Sequence, residues 1–209
     1  MNECSLKFAI RKHMRIRDEK KEQLIKLKAM ETIVKHGFDG LSMQKLAKDA
    51  KVSPATIYIY FKDREDLIEK IAIEKFNMMT EVTLKGFSPN MPFEKGLKKQ
   101  WNNRANFWLN NPMEARFLEQ VRFSPIGFKV HSKIKKEFSD IMHQFLENAI
   151  KNKELMPLST EVFWSLAYAP LYQLIKFHLD GKGMKHQAFS LDQKTLNTTF
   201  KLVLKSLTP

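Results

Sequence analysis

The chain has 209 residues, 43% of them hydrophobic, and 36 Lys+Arg against 23 Asp+Glu give a formal net charge of +13. That length supports a sizeable core in one or two domains, and the single cysteine, Cys4, excludes an intrachain disulfide and suits a reducing cytoplasm. No apolar run approaches the roughly 18 to 20 residues of a membrane span, and charges interrupt any would-be signal core, so neither an integral nor a secreted protein is expected.

The basic excess points to a polyanionic partner such as nucleic acid or an anionic membrane. Residues 1–20, "MNECSLKFAIRKHMRIRDEK", form a basic arm, readable as a nucleic-acid contact, as a poorly ordered terminus or as the product of an unused upstream start before Met14. A first helix is predicted from Asp18 to Lys35, with Leu24, Leu27, Ile33 and Val34 on one face and Gly37 as its C-cap. Ser42 is placed to cap a short helix through Ala50, in which Met43, Leu46, Ala47 and Ala50 recur at i, i+3, i+4 and i+7. After a turn at Lys51 to Ser53, Ser53 caps another short helix with Pro54 at its first position, where a missing N–H is harmless. Asp63 then introduces a longer helix from Arg64 to Phe87.

Beyond "GFSPNMP" the predicted helices are longer and laden with aromatics, at 92–110, 112–123, 128–152, 159–179 and 190–207. They are punctuated by Asn111-Pro112, Ser124-Pro125, Met156-Pro157 and Gly181 to Gly183. The pattern is all-α with no strand ladder. A domain boundary is expected near residue 65, giving a basic N-terminal domain, 1–65, and a larger helical domain, 66–209.

Two short helices joined by a tight turn suit DNA: the first braces on the backbone and the second offers its N-terminal residues to base edges. By the helical period Ala55, Thr56 and Tyr58 face outward while Ile57 and Phe61 turn towards Leu46 and Ala47. Thr56 presents a hydroxyl and a methyl, and the Tyr58 and Tyr60 hydroxyls reach for phosphates. Lys62 and Arg64 add charge beside the next helix N-terminus.

The segment Leu27 to Leu67, "LKAMETIVKHGFDGLSMQKLAKDAKVSPATIYIYFKDREDL", resembles the DNA-binding domain of the TetR-type bacterial transcriptional regulators. The likeness lies in the "GF" turn, "LAKDAKVS" and the "TIYIYF" run. By position, the resemblance implies DNA contacts from Ser42, Gln44, Ser53, Ala55, Thr56, Tyr58, Tyr60, Lys62 and Arg64. It also implies a homodimeric, ligand-responsive regulator of double-stranded DNA, a repressor on a near-palindromic operator. Two departures stand out. Lys51 occupies a turn position where the family commonly has Gly, which costs about 1 kcal/mol if φ is positive there. Pro54 and Ala55 replace the usual polar residue and Gly.

In the larger domain, residues 160–180, "TEVFWSLAYAPLYQLIKFHLD", are apolar nearly all round. One face is therefore available to a second copy, with Ser165, Ala167 and Ala169 small enough for close approach and Pro170 expected to kink the helix. Leu196, Phe200, Val203, Leu204 and Leu207 form a second stripe, and in the family such late helices make a dimerising four-helix bundle. An aromatic load including Trp101, Phe107, Trp108, Phe117, Phe138, Tyr168 and Tyr172 suits a cavity for an apolar or aromatic effector.

Catalysis finds no support: the six histidines show no ligand spacing, and there is no phosphate-cradling Gly-rich loop or nucleophile elbow. No metal, cofactor or membrane partner is expected, and the location expected is cytoplasmic. The competing readings are a helical enzyme with a basic domain for an acidic substrate, which has no use for outward Thr and Tyr on a turn-separated helix pair, and a membrane-surface protein. The latter needs a clean apolar face, whereas residues 6–17 offer only Leu6, Phe8, Ile10 and Met14.

Overall fold

The computed structural model describes residues 18–133 and 136–209. The basic arm through residue 17, with Cys4 and Met14, lies outside the described residues. The described chain is all-α and divides into two compact units between Ile71 and Ala72.

The first unit is built from α1 (Glu19–His36), a 3-10 turn (Phe38–Gly40), α2 (Met43–Asp49), α3 (Pro54–Tyr60) and the start of α4 (Arg64–Leu84). Side chains fix all four helix starts, with Asp63 serving α4. Asp18, Ser42 and Ser53 accept from the amides of Lys21, Lys45 and Thr56 respectively, each satisfying one of the unpaired donors of a first turn. Gly37, at φ 70°, ends α1 with its amide on the Ile33 carbonyl, as its position in the sequence predicts.

The buried face of α1 is Ile25, Ala29, Met30 and Ile33; the expected Leu24 and Leu27 stand 40% and 38% exposed. Ile33 was the one anchor shared by both stripes, and the true stripe lies on its Ile25–Ala29 side. Leu46, Ala47, Ile57, Phe61 and Leu67 complete this core, all nearly inaccessible.

The second unit holds the remainder of α4, then α5 (Phe93–Asn110), α6 (Pro112–Arg122), α7 (Pro125–Lys133), α8 (Lys136–Lys151), α9 (Thr160–Ala167), α10 (Ala169–Asp180) and α11 (Gln193–Leu207). α5 packs against α6, α8, α10 and α11, and α9, α10 and α11 pack on one another. Their shared core contains Phe93, Leu97, Trp101, Phe145, Phe163, Tyr168, Leu171, Phe200 and Val203. Gly96 sits where a Cβ would come within 2.4 Å of the Phe145 ring, so α5 and α8 approach more closely than any other residue type permits there.

One predicted long helix is two. The segment 159–179 breaks at Tyr168 into α9 and α10, because Pro170 has no N–H for the Leu166 carbonyl and instead occupies the first turn of a new helix. The described residues of the predicted segment 128–152 are helical, in α7, which starts earlier at Pro125, and α8. No helix among the described residues is long and apolar enough to cross a membrane.

Candidate DNA interface and effector cavities

α2, the turn at 51–53 and α3 form the helix-turn-helix. The turn closes with the Lys51 amide on the Lys48 carbonyl (3.1 Å) and the Val52 amide on the Ala47 carbonyl (2.9 Å), the paired bonds of a Schellman end. That geometry needs a left-handed residue, and Lys51 takes it at φ 53°. α3 is pinned through Ile57 and Phe61, so Ala55, Tyr58, Ile59 and Lys62 are left on the open face, with Tyr58 54% and Ile59 72% exposed. Ile59 is absent from the sequence-derived set although it lies four residues from Ala55; the alternation of apolar and aromatic residues in "TIYIY" disguised it as a core position.

Several expected contacts have other tasks. Ser53 Oγ accepts from the Thr56 amide at 3.1 Å and lies 2.8 Å from Thr56 Oγ1, so the two hydroxyls are joined at the start of α3. Ser42 is an exposed cap, with Gln44 exposed beside it. Tyr60 is not outward: it is 6% exposed, and its hydroxyl accepts from the Asp18 amide at 3.2 Å, tying α3 to the start of α1. Arg64 is half-buried and donates from Nη2 to the Phe38 carbonyl, which directs its guanidinium into the protein rather than towards a phosphate.

Lys62 does stay exposed at the end of the open face, its backbone amide donating to Asp66 Oδ2 at 2.8 Å while Asp63 Oδ1 accepts from the Asp66 amide. The α3–α4 junction is thus locked by reciprocal caps. Burial alone opposes ionisation of Asp66, but the bonds from Lys70 and the Lys62 amide outweigh it and hold the carboxyl below its usual range.

Residues 27–71, which include this whole motif, match the family model for bacterial regulatory proteins of the tetR family. An uncharacterized HTH-type transcriptional regulator of Haemophilus influenzae is 32% identical over 135 residues, 65% of this chain and 71% of that one. The chain belongs to the TetR family. Among solved structures, a TetR-family regulator from Marinobacter aquaeolei VT8 superposes with a TM-score of 0.79 at 22% identity, over 92% of this chain and 98% of that one. A TetR-family regulator from Haemophilus influenzae RD gives a TM-score of 0.74 at 26% identity, over 92% and 100%. This TetR-family chain is accordingly a DNA-binding transcriptional regulator.

Among the described residues of the regulator's second unit, cavities lie in at least two places. One, of about 430 Å³, is lined by Asn77, Thr80, Glu81, Val82 and Leu84 of α4, by Lys85 just beyond it and by Phe138. The other, of about 470 Å³, is walled by Trp108, Trp164, Tyr172 and Phe76, with Leu118, Ile175 and Leu179 beneath. Of the seven aromatics expected to surround an effector, Trp108 and Tyr172 line the second cavity and Phe138 the first. Trp101, Phe107, Phe117 and Tyr168 line neither: each is at most 1% exposed and packed as core. Trp101 donates its indole N–H to the Ala167 carbonyl at 2.7 Å and meets Phe200 edge-on, which fixes it between α5, α9 and α11. Trp164 and Phe76, which do line the larger cavity, carry no sequence signal that separates them from core rings.

Behind that cavity lies Arg104, 1% exposed. Its guanidinium stands 4.3 Å from the Tyr168 ring centroid and 5.1 Å from that of Trp164, and Nη1 donates to the Tyr172 hydroxyl at 2.6 Å. Burial pushes the Tyr168 hydroxyl up to about 12, the neighbouring guanidinium offsetting part of that rise.

Proposed function

We propose that this TetR-family regulator is a repressor that binds a near-palindromic operator as a homodimer and is released by a small effector taken into the second unit. The open face of α3 carries the reading: Ala55, Tyr58 and Ile59 stand together on a helix whose opposite side is anchored in the core, with Lys62 exposed just past its end. Ile59 and Ala55 suit apolar contact with thymine methyls, Thr56 and Tyr58 supply hydroxyls to bases or phosphates, and Lys62 supplies charge. Gln44 and Ser42 on the preceding helix suit backbone contacts that hold the register.

The sensing part of the proposal is supported by the two cavities and by α4, a single helix from Arg64 to Leu84 that contributes to both units. A ligand that shifts the distal half of such a helix changes the equilibrium between reading-head spacings by its differential affinity for them.

Selection of bound fragments from total DNA of the source organism, followed by footprinting, tests the assignment. The expected result is protection of two inverted half-sites whose centres lie about one helical turn, or slightly more, apart, because two symmetry-related α3 helices must enter successive major grooves on one side. Protection of a single asymmetric site by one chain would overturn the dimeric reading.

A further inference from the structure

The second unit contains a charge that nothing in the described chain balances. Arg104 is buried, yet the ion pairs described in this unit, Lys75–Glu74, Lys75–Glu114, Arg116–Asp180 and Lys176–Glu119, all leave it out. Nη1 is used by Tyr172, whereas Nε and Nη2 are buried with no hydrogen-bond partner. Those two nitrogens share one edge of the guanidinium, the fork that a carboxylate accepts side-on through both oxygens. A buried cation without a counter-ion is strongly disfavoured, and aromatic faces compensate only part of its lost hydration.

The orphaned fork is one of several unsatisfied groups. Gln100, Arg104 and Trp108 follow at i, i+4 and i+8 on α5, hence on one face, and each has a buried polar atom without a partner: Gln100 Oε1, the Arg104 fork and the Trp108 indole N–H. The Tyr168 hydroxyl, beside the same guanidinium and polarised by it, also has no partner at hydrogen-bond distance. Such atoms are rare in a native core, and the Arg104 fork together with the Trp108 indole, which lines the larger cavity, marks a place for a ligand's polar end. Trp108, Trp164 and Tyr172 wall the 470 Å³ cavity; Arg104 donates to the Tyr172 hydroxyl and lies under the Trp164 ring, so the guanidinium stands one ring behind the wall. The cavity's charged lining runs the same way, with Arg116, Arg122 and Lys176 against Glu119 and Asp180.

We infer that the effector is an anionic amphiphile: a carboxylate that takes the Nε–Nη2 fork of Arg104, with an apolar or aromatic body held between Trp108, Trp164 and Tyr172. This rests on the reading of the second unit as an effector domain and adds the charge that the sequence did not disclose. Entry requires the Tyr172 hydroxyl or the Trp164 ring to give way, so binding moves side chains of α9 and α10 and is visible in tryptophan fluorescence.

The test is calorimetric titration of the full chain with two carboxylates, decanoate and naphthoate, and with their neutral counterparts, decanol and naphthalenemethanol, while fluorescence is followed. The wild type is expected to prefer at least one carboxylate over its alcohol by about tenfold or more. Arg104→Met should erase that preference without weakening the alcohol, and its unfolding temperature without ligand should be no lower than that of the wild type. Arg104→Lys keeps the charge but not the fork; it should bind the carboxylate less tightly than the wild type and the alcohol equally well. If Arg104→Met fails to fold, the lysine variant decides, and an undiminished carboxylate affinity there overturns the inference. Equal binding of acid and alcohol by the wild type, or a preference that survives in Arg104→Met, also overturns it while leaving an effector domain intact. If none of the four compounds binds up to millimolar concentration, both this inference and the effector reading fall.

Discussion

Lys51 holds a backbone conformation that its side chain disfavours, and the Schellman end of α2 is the reason it must. A left-handed non-glycine residue costs about 1 kcal/mol or a little more, and glycine returns part of that through its freer unfolded chain. Lys51→Gly should therefore stabilise the protein by about 0.5 to 1 kcal/mol, seen as a higher midpoint in urea unfolding. A lower midpoint would mean that the Lys51 side chain makes a contribution outweighing its strain. Asp66 gives the residue scale a pH dependence. Its carboxyl is held below the ordinary 3.8, so the stability it contributes is present above that value and is lost as pH falls through the lower, folded-state value. Asp66→Asn should thus be less stable than wild type at neutral pH, with the gap closing below about pH 3.8 in acid unfolding followed by circular dichroism. A gap that persisted unchanged into strong acid would show that the charge is not what Asp66 contributes.

At the scale of the element, the exposed face of α3 separates two kinds of DNA contact. Lys62→Ala should weaken binding to every duplex alike and reduce the slope of log affinity against log salt by about one. Ile59→Ala and Thr56→Ala should leave the slope nearly unchanged and lower the ratio of operator to non-specific affinity, as fluorescence anisotropy at several salt concentrations will show. Equal, uniform losses from both kinds of change would contradict this division. The helix-turn-helix was legible in the sequence because its determinants are local: Ser42, Ser53 and Pro54 announce helix starts within one turn, and Leu46, Ala47 and Ile57 lie at helical spacing. What escaped there was long-range. Tyr60 and Arg64 read as outward polar groups until the start of α1 and the Phe38 carbonyl, 42 and 26 residues away, take up their donors and acceptors. α5 makes the same point for the second unit. Trp101 and Trp108 are two helical turns apart on nearly one face, yet one is sealed by α9 and α11 while the other borders a cavity. Nothing in their spacing separates them, because the difference is made by helices that arrive much later in the chain.

For the whole molecule, the late helices decide whether one chain suffices. Val162, Ser165, Leu166, Ala169 and Gln173 are all exposed and follow at i, i+3, i+4, i+7 and i+11 across the α9–α10 break, and on α11 Leu202 stands 65% exposed. The small residues nominated from sequence divide accordingly: Ser165 and Ala169 face outward, but Ala167 is fully buried, as is nearly all of Val203. A carboxylate at either buried position is expected to unfold the second unit, since it enters its own core without a partner, and so reports nothing about assembly. Leu166→Glu and Leu202→Glu place the charge on the outer surface instead. If that surface is the dimer interface, both variants should keep the wild-type helix content and unfolding temperature to within the small effect of a surface change, yet sediment as monomers at micromolar concentration. Operator affinity must then fall steeply, because a monomer engages one half-site and loses the gain of a second, tethered contact. Variants that remained dimeric with unaltered operator affinity would place the interface elsewhere on the molecule, and the exposed Leu202 would need a different partner.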